Sequence, residues 1–266
     1  VKVAVVASFA RSLVVFRGHL LQRLVRRGHR VVALAPDFTE DLRAVLHTWG
    51  VQPVPYPLVR QGTSVQEDAA AYFALLRTFQ EQRPDVVLSY TIKPVIYATL
   101  AARRAGVPQV AALVTGLGAV FLRTDGSWRF RLLQKAVSHL YRRALNRADV
   151  VFVQNPDDAA FLRDRLKVHR PLVRLPGSGV DLRHFAPAPY PESPTFLMLA
   201  RLIPDKGVRE YVEAARQASM RTTGKPCRFR EANTRRRHYL FKVANALLLL
   251  MFTQNTYPYA YINPQY

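Results

Sequence analysis

Six short runs of almost wholly apolar residues, at 1–7, 30–35, 85–89, 109–114, 149–154 and 172–175, recur along the chain with longer amphipathic stretches between them. A strand that alternates polar and apolar residues can leave one face in water, but a strand apolar at nearly every position must be covered on both. A parallel sheet with helices on both faces supplies that cover in the order strand, helix, strand. The sequence therefore predicts an α/β fold. Helices are predicted over 14–27, 39–49, 65–82, 95–105, 128–147 and 157–167, with Gly28, Gly50 and Gly106 after helix ends and Pro94 and Pro156 at helix starts.

The rhythm is interrupted at APAPYPESP, where four prolines fall in nine residues without strand or helix periodicity. This divides the chain into a first domain at 1–185, a Pro-rich linker at 186–194 and the start of a second α/β domain at 195–219, with a strand at 195–200 and a helix at 208–217. Residues 220–266 form an atypical basic, then apolar tail in which no further strand and helix alternation is predicted. Within the tail, 239–252 is interrupted by Lys242 and Asn245 and falls short of the roughly 20 apolar residues a membrane span needs. It reads as a short buried helix or a segment lying on a membrane surface.

The formal net charge of +21 asks what the excess Lys and Arg face. Nucleic acid, anionic phospholipid and phosphorylated small substrates all present dense negative charge, and charge alone does not choose among them; an Arg-rich, solvated surface is the fourth reading. The single cysteine, Cys227, excludes an internal disulfide framework and a thiolate-rich zinc site, which fits a reducing compartment. The apolar start VKVAVVASFA has no basic run ahead of it and no cleavage site after it, so it reads as a first strand and not as a secretory signal.

In a parallel α/β sheet, ligands bind beyond the carboxyl ends of the strands. The residues there are polar or small: Ser8 to Ser12 after the first strand, Tyr90 to Lys93 after the third, Thr115 to Gly118 after the fourth, and Gly177, Ser178 and Gly179 in the turn that leads towards the linker. A dinucleotide site is disfavoured because SFARSLVVFRG lacks the G-x-G-x-x-G that brings a pyrophosphate to a helix N-terminus. Asp37 is accordingly read as a cap or loop residue ahead of FTEDL more than as a ribose contact. A G-x-x-x-x-G-K-[ST] phosphate loop, H-E-x-x-H and G-x-S-x-G are all absent. In RLIPDKG, Arg201 and Lys206 stand between a strand and a helix N-terminus. That is a diphosphate-binding arrangement on one reading, and an Arg201–Asp205 pair beside a solvated Lys206 on the other.

The segments SFARSLVVFRGHLLQRLVRRGHRVVALAPD, YTIKPVIYATLAARRAGVP, VTGLGAVF, ALNRADVVFVQNPDD, PGSGVDLRHFAP and LARLIPDKGVREYVEAAR follow one another as in GT4-type glycosyltransferases of the GT-B fold. Over 1–218 the chain resembles the members that make bacterial surface polysaccharides and lipid-linked oligosaccharides, N-acetylgalactosaminyl- and galacturonosyl-transferases among them. The resemblance implies a Rossmann-like, acceptor-side first domain and an incomplete second one. It implies transfer of a sugar from a nucleotide sugar, a UDP-sugar, with retention of configuration, to a glycan or a polyprenyl-diphosphate-linked acceptor, with no metal or other cofactor. Arg201 and Lys206 would bind the donor diphosphate. Ser12, Arg17, Thr91, Lys93, Thr115, Gly116 and Gly118 would form the acceptor rim, and Gly177, Ser178 and Gly179 the interdomain turn; no catalytic residue is implied.

A lipid-diphosphate acceptor implies a cytoplasmic enzyme held peripherally at the inner face of the cytoplasmic membrane, with an anionic membrane surface as partner and nucleic acid not expected. Relatives continue for roughly another domain after the Arg–Lys loop and carry an E-x7-E element, whereas Glu231 is the one acidic residue after Met220. The chain thus reads as truncated in its C-terminal domain. A catalytically inactive ligand- or lipid-binding module derived from such a transferase is the alternative to an active enzyme.

Overall fold

The computed structural model describes residues 1–60, 62–122, 127–182, 189, 195–200, 202, 206–221 and 228–233. The chain divides into two compact units, Val1–Asp181 and Leu182–Tyr266. The first is built on seven strands: β1 (Lys2–Val6), β2 (Arg30–Ala35), β3 (Val51–Pro55), β4 (Val86–Tyr90), β5 (Gln109–Val114), β6 (Val150–Val153) and β7 (Leu172–Arg174). All pair in parallel, in the order β3-β2-β1-β4-β5-β6-β7. The chain winds outward from β1 to β3, returns past β1, then winds outward the other way. The order reverses between β1 and β4, and in folds of this class the crevice where ligands bind lies between the loops at the carboxyl ends of such a pair.

Helices α1 (Ala10–Val15), α2 (Gly18–Arg26) and α3 (Glu40–Thr48) cover one face. The opposite face carries α4 (Val65–Gln82), α5 (Ile92–Arg104), the single turn α6 (Ala119–Leu122), α7 (Trp128–Leu145) and α8 (Pro156–Asp164). The period-two geometry of β1 sorts its residues between the two sides. Val3, Val5 and Ala7 join Leu13, Leu21 and Leu46, while Ala4 and Val6 join Leu75, Phe79 and Ala101. A register slip of one residue would exchange these sets; with each buried Val, Leu or Phe contributing about 1.5–3 kcal/mol, the pairing is fixed by both cores at once.

The predicted parallel α/β sheet is present, with three local differences. Strand β3 was not expected, because Pro53 and Pro55 argue against a central strand; it lies at the sheet's edge, where a residue that cannot donate to the ladder is tolerated. The helix predicted at 14–27 is two helices, broken at Phe16 and Arg17. A Cβ at Gly18 would stand 3.0 Å from the Trp49 ring, so the glycine lets α2 begin close against that indole. In the second unit, β8 (Thr195–Ala200), α9 (Val208–Arg221) and β9 (Arg228–Asn233) form a strand, helix, strand motif, with β8 and β9 parallel from Thr195↔Arg228 to Ala200↔Asn233. The expectation that alternation ends at Met220 is therefore corrected. The polar character of RFREAN hid a strand from a reading tuned to apolar runs. The segment 239–252 and, apart from Pro189, the linker at 186–194 lie outside the described residues. No described helix is long and apolar enough to cross a membrane.

Candidate functional site

At the crevice, Ala7, Ser8 and Phe9 follow β1, and α1 starts with the backbone N–H of Ala10 donating to Asp37 Oδ1 at 2.7 Å. A carboxylate at a helix N-terminus satisfies an orphan amide and complements the helix dipole. Asp37 is thus a cap, as the sequence suggested, but of α1 and not of α3. The Tyr56 phenol donates to the Ala7 carbonyl at 2.8 Å, which fixes the strand end from the other side. Burial pushes the Tyr56 phenol well above its ordinary range, with Tyr90 and Asp37 nearby adding to the effect, so it acts only as a neutral donor.

The floor of the crevice is a chain of hydrogen bonds. Ser12 Oγ donates to the Phe9 carbonyl at 2.7 Å and meets the Tyr90 hydroxyl at 2.7 Å. With the serine proton committed to Phe9, Tyr90 is the donor to Ser12. Burial pushes Tyr90 up to about 12, although the bond to Ser12 and the charge of Arg17 both pull it down. The Arg17 guanidinium lies over the Tyr90 ring, 5.0 Å from its centroid, and donates to Ser178 Oγ at 2.9 Å and to the Phe16 carbonyl at 3.2 Å. Arg17 stands at the break between α1 and α2.

Arg17 is 7% exposed, and among the described residues no carboxylate pairs with it and its Nε has no hydrogen-bond partner. Burial lowers its pKa, offset in part by Tyr90. A guanidinium taken out of water without a counter-ion is costly, and the cost is recovered when an anion arrives. Thr91, one residue after β4, adds a second unsatisfied group. Its Oγ1 is buried without a partner among the described residues, and its backbone holds φ 68° and ψ 155°. A β-branched residue in this glycine-favouring region is strained, and such strain concentrates where a ligand is gripped.

The other rim residues separate into three groups. Lys93 stands at the start of α5, but its ammonium is held by Asp68 at 2.7 Å and the Val59 carbonyl at 2.9 Å, so its charge ties α5 to α4 and the loop after β3. Thr115 and Gly116 are partly exposed after β5; Gly116 has φ 130° and would meet nothing within 4 Å through a Cβ, which leaves its backbone open to the crevice. Gly118 serves packing, since a Cβ there would come within 2.5 Å of Ile92 Cδ1. Gly177 and Gly179, with φ 104° and 76°, bend the chain after β7 so that Ser178 reaches Arg17. Arg201 lies outside the described residues, while Lys206 is exposed just before α9 in the second unit.

Sequence reasoning missed Tyr56, and it placed Tyr90 and Phe9 at the strand ends without giving either a role; the Phe9 ring carries the Arg60 guanidinium 4.2 Å from its centroid. The signal available was position: Tyr90 is the last residue of an apolar run, and a phenol there must find a partner. His19 is exposed and lies 3.5 Å from Asp181.

Two hollows of about 370 and 380 Å³ lie at the opposite edge of the sheet, lined by Tyr72, Leu100, Asp149 and the arginines 103, 104, 143, 147 and 170. Arg103 there donates through Nε to the Arg147 carbonyl at 2.6 Å, through one terminal nitrogen to the Val107 and Pro108 carbonyls, and pairs with Asp149. These cations follow the carboxyl ends of α5 and α7, where positive charge is stabilising. They close the structure and do not face the crevice.

The model of the glycosyl transferase 4-like domain matches residues 13–177, which includes every rim residue except Ser12, Ser178 and Gly179. An N,N'-diacetylbacillosaminyl-diphospho-undecaprenol alpha-1,3-N-acetylgalactosaminyltransferase of Campylobacter jejuni is 25% identical over 221 residues, covering 77% of this chain. The chain spans 57% of that relative's length. Among solved structures, the sucrose-phosphate synthase of Thermosynechococcus elongatus superposes with a TM-score of 0.64 at 13% identity, over 94% of this chain and 67% of its own. A glycosyltransferase from Rickettsia africae gives 0.60 at 16%, over 94% and 65%. The MnaA–UDP structure from S. aureus gives 0.57 at 15%, over 93% and 65%. At these identities the structural likeness shows the fold alone.

Proposed function

The chain belongs to the family of glycosyl transferase 4-like domains, and we propose that it works in glycosyl transfer from a UDP-sugar to a polyprenyl-diphosphate-linked acceptor, with the crevice between β1 and β4 as the acceptor side. The observation that carries this reading is Arg17: a buried cation with no carboxylate partner among the described residues, set between Tyr90 and Ser178 beside Ser12, at the reversal of strand order. An acceptor diphosphate is an anion that a guanidinium binds well. The C. jejuni relative, by its name, acts on a diphospho-undecaprenol substrate, which supports the same acceptor class.

In the reaction the bond from the anomeric carbon to the UDP oxygen breaks, a bond to the acceptor hydroxyl oxygen forms on the same face, and the hydroxyl proton leaves with UDP. Charge grows on the departing diphosphate. Arg201 and Lys206 would take it up, so that no metal ion is required for that role. The strained Thr91 and the open backbone at Gly116 would position the acceptor sugar. A lipid-linked acceptor places the enzyme at the inner face of the cytoplasmic membrane, attached peripherally.

The test is UDP release from a panel of UDP-sugars with a short-chain polyprenyl-diphosphate sugar. Acceptor-dependent release that falls with Arg201→Ala and Lys206→Ala through the donor KM is the expected result. Acceptor binding without UDP release would assign the chain to a ligand-binding module, and neither binding nor release would end the proposal.

A further inference from the structure

The outer face of α7 joins exposed apolar side chains to an excess of cations. Its 18 residues, WRFRLLQKAVSHLYRRAL, contain no Asp or Glu. Phe130, Leu133, Val137, Tyr141 and Ala144 turn inward at helical spacing, and Tyr141 and Ala144 are fully buried. The core is therefore satisfied without the apolar residues on the other side. Trp128 is nonetheless 65% exposed and Leu132, one turn on, 61%. At the α-helical angle these two lie along the middle of the exposed face, in line with His139 and Arg143. Arg129, Arg131, Lys135 and Arg142, all exposed, flank that line.

A single exposed leucine is ordinary. A Trp and a Leu one turn apart, bordered by cations and free of any carboxylate on the helix, form the pattern of a segment that lies in a headgroup layer. Helix α4 makes the contrast. It also exposes apolar residues, Val65 and Phe73, but carries Glu67, Asp68 and Glu81 against Arg77, so an anionic surface would repel it.

Position strengthens the reading. Helix α7 runs antiparallel to the strands, so its first turn, with Trp128, lies at the carboxyl edge of the sheet. Gln134 Nε2 donates to the Val120 carbonyl at 2.9 Å, which ties α7 to α6 directly after the Thr115 to Gly118 loop. The apolar end of the face is therefore on the same edge as the crevice.

We propose that the outer face of α7 is a docking surface for anionic phospholipid, with Trp128 and Leu132 set into the headgroup region and Arg129, Arg131, Lys135, Arg142 and Arg143 against lipid phosphates. The partner is chosen by charge complementarity and by the Trp–Leu pair. The inference deepens the peripheral attachment in the function proposed above, because it names the element that makes it and explains how a lipid-linked acceptor meets the rim.

The experiment is flotation of the full chain with vesicles of phosphatidylglycerol and phosphatidylcholine, against phosphatidylcholine alone. Binding to the anionic vesicles is expected, with a blue shift of tryptophan emission that disappears in Trp128→Phe. Leu132→Glu is expected to lower the partition coefficient more than tenfold, and Lys135→Ala roughly fivefold, the loss of one cation near an anionic surface. Equal binding to neutral vesicles, unchanged binding by Leu132→Glu with its circular dichroism intact, or a change of oligomeric state in place of vesicle binding would each overturn the proposal. UDP release with a short-chain acceptor free of membrane is measured alongside. Leu132→Glu should leave it unchanged while lowering turnover of acceptor embedded in vesicles. No turnover by any variant, with vesicle binding intact, would count against the transferase reading and not against the docking surface.

Discussion

Two arginines at opposite edges of one sheet behave in opposite ways. Arg103, at the amino edge, is held by three carbonyl oxygens and by Asp149, so nearly all its donors are used within the fold. Arg17, at the carboxyl edge, is more deeply buried yet has a serine, one carbonyl and a tyrosine face, with Nε unused among the described residues. An arginine that completes a structure is saturated by it. One kept for a ligand is left with a debt of solvation that only the ligand settles.

The largest effect expected from this contrast is at Arg17. Arg17→Ala should lower kcat/KM for the acceptor by about 100-fold, the equivalent of about 2.7 kcal/mol and within the range of a charge-assisted contact. The melting temperature should stay level or rise, because a buried unpaired cation is removed. The comparison breaks if the protein is destabilised while turnover per folded molecule persists, since Arg17 would then be structural like Arg103.

Next in size is Gly118→Ala. The new methyl would meet Ile92 at 2.5 Å on a backbone with φ 75°, and a loss of about 2 kcal/mol in a denaturant titration is expected. Gly116→Ala meets open space but puts an alanine at φ 130°, so it too should cost stability; what should set it apart is a raised acceptor KM per folded molecule, which Gly118→Ala should leave unchanged. If both glycines respond alike, the division of that loop into a packing residue and a ligand-facing one is wrong.

Arg103→Ala should follow at about 1–2 kcal/mol of stability, discounted because the side chain is 24% exposed, with turnover per folded molecule unchanged. Tyr90→Phe keeps the ring under Arg17 and removes the bond to Ser12 at 2.7 Å. About 1 kcal/mol of stability and a rise of a few-fold in the acceptor KM are expected. A large loss of turnover would instead give the phenol a direct role on the substrate.

These differences bear on what could be read from residues alone. The strands covered on both faces were legible because burial on both sides leaves no polar position in the run, as in 3–7 or 110–114. Strand β3 was not, because VQPVP carries two prolines that only an edge position excuses. The carboxyl edge as the place of the site followed from the fold class, and Ser12, Arg17, Thr91 and the loop from Thr115 to Gly118 do stand there. What escaped was everything set by distant partners. Asp37 caps a helix 27 residues back, Arg17 meets Ser178 across 161 residues, and Gly18, just after the helix break, lies close against Trp49. Lys93 looked like Arg17 as a cation after a strand, and only the nearness of Asp68 separates them. The strand β9 was missed because its sequence, RFREAN, is polar and gives no apolar run to read.

The smallest effect sharpens the amino edge of the comparison through pH. Burial works against the charge on Asp149, but the Val110 N–H at 2.8 Å and the Arg103 guanidinium outweigh it, with Arg170 adding to them, and the carboxyl is held below its ordinary range. A carboxyl depressed in the folded state binds its proton more weakly there than in the unfolded chain. Its contribution is therefore complete above the unfolded value of about 4 and is lost as pH falls through the lower folded value. Asp149→Asn should lower the melting temperature slightly at pH 7, and the gap to the wild type should close below about pH 4. Arg17→Ala should show no such closing, since no carboxylate faces Arg17 among the described residues. A gap for Asp149→Asn that is constant from pH 7 to pH 3 would mean that the amide replaces the carboxylate's bonds equally well, and the saturation of Arg103 would then rest on the three carbonyls alone.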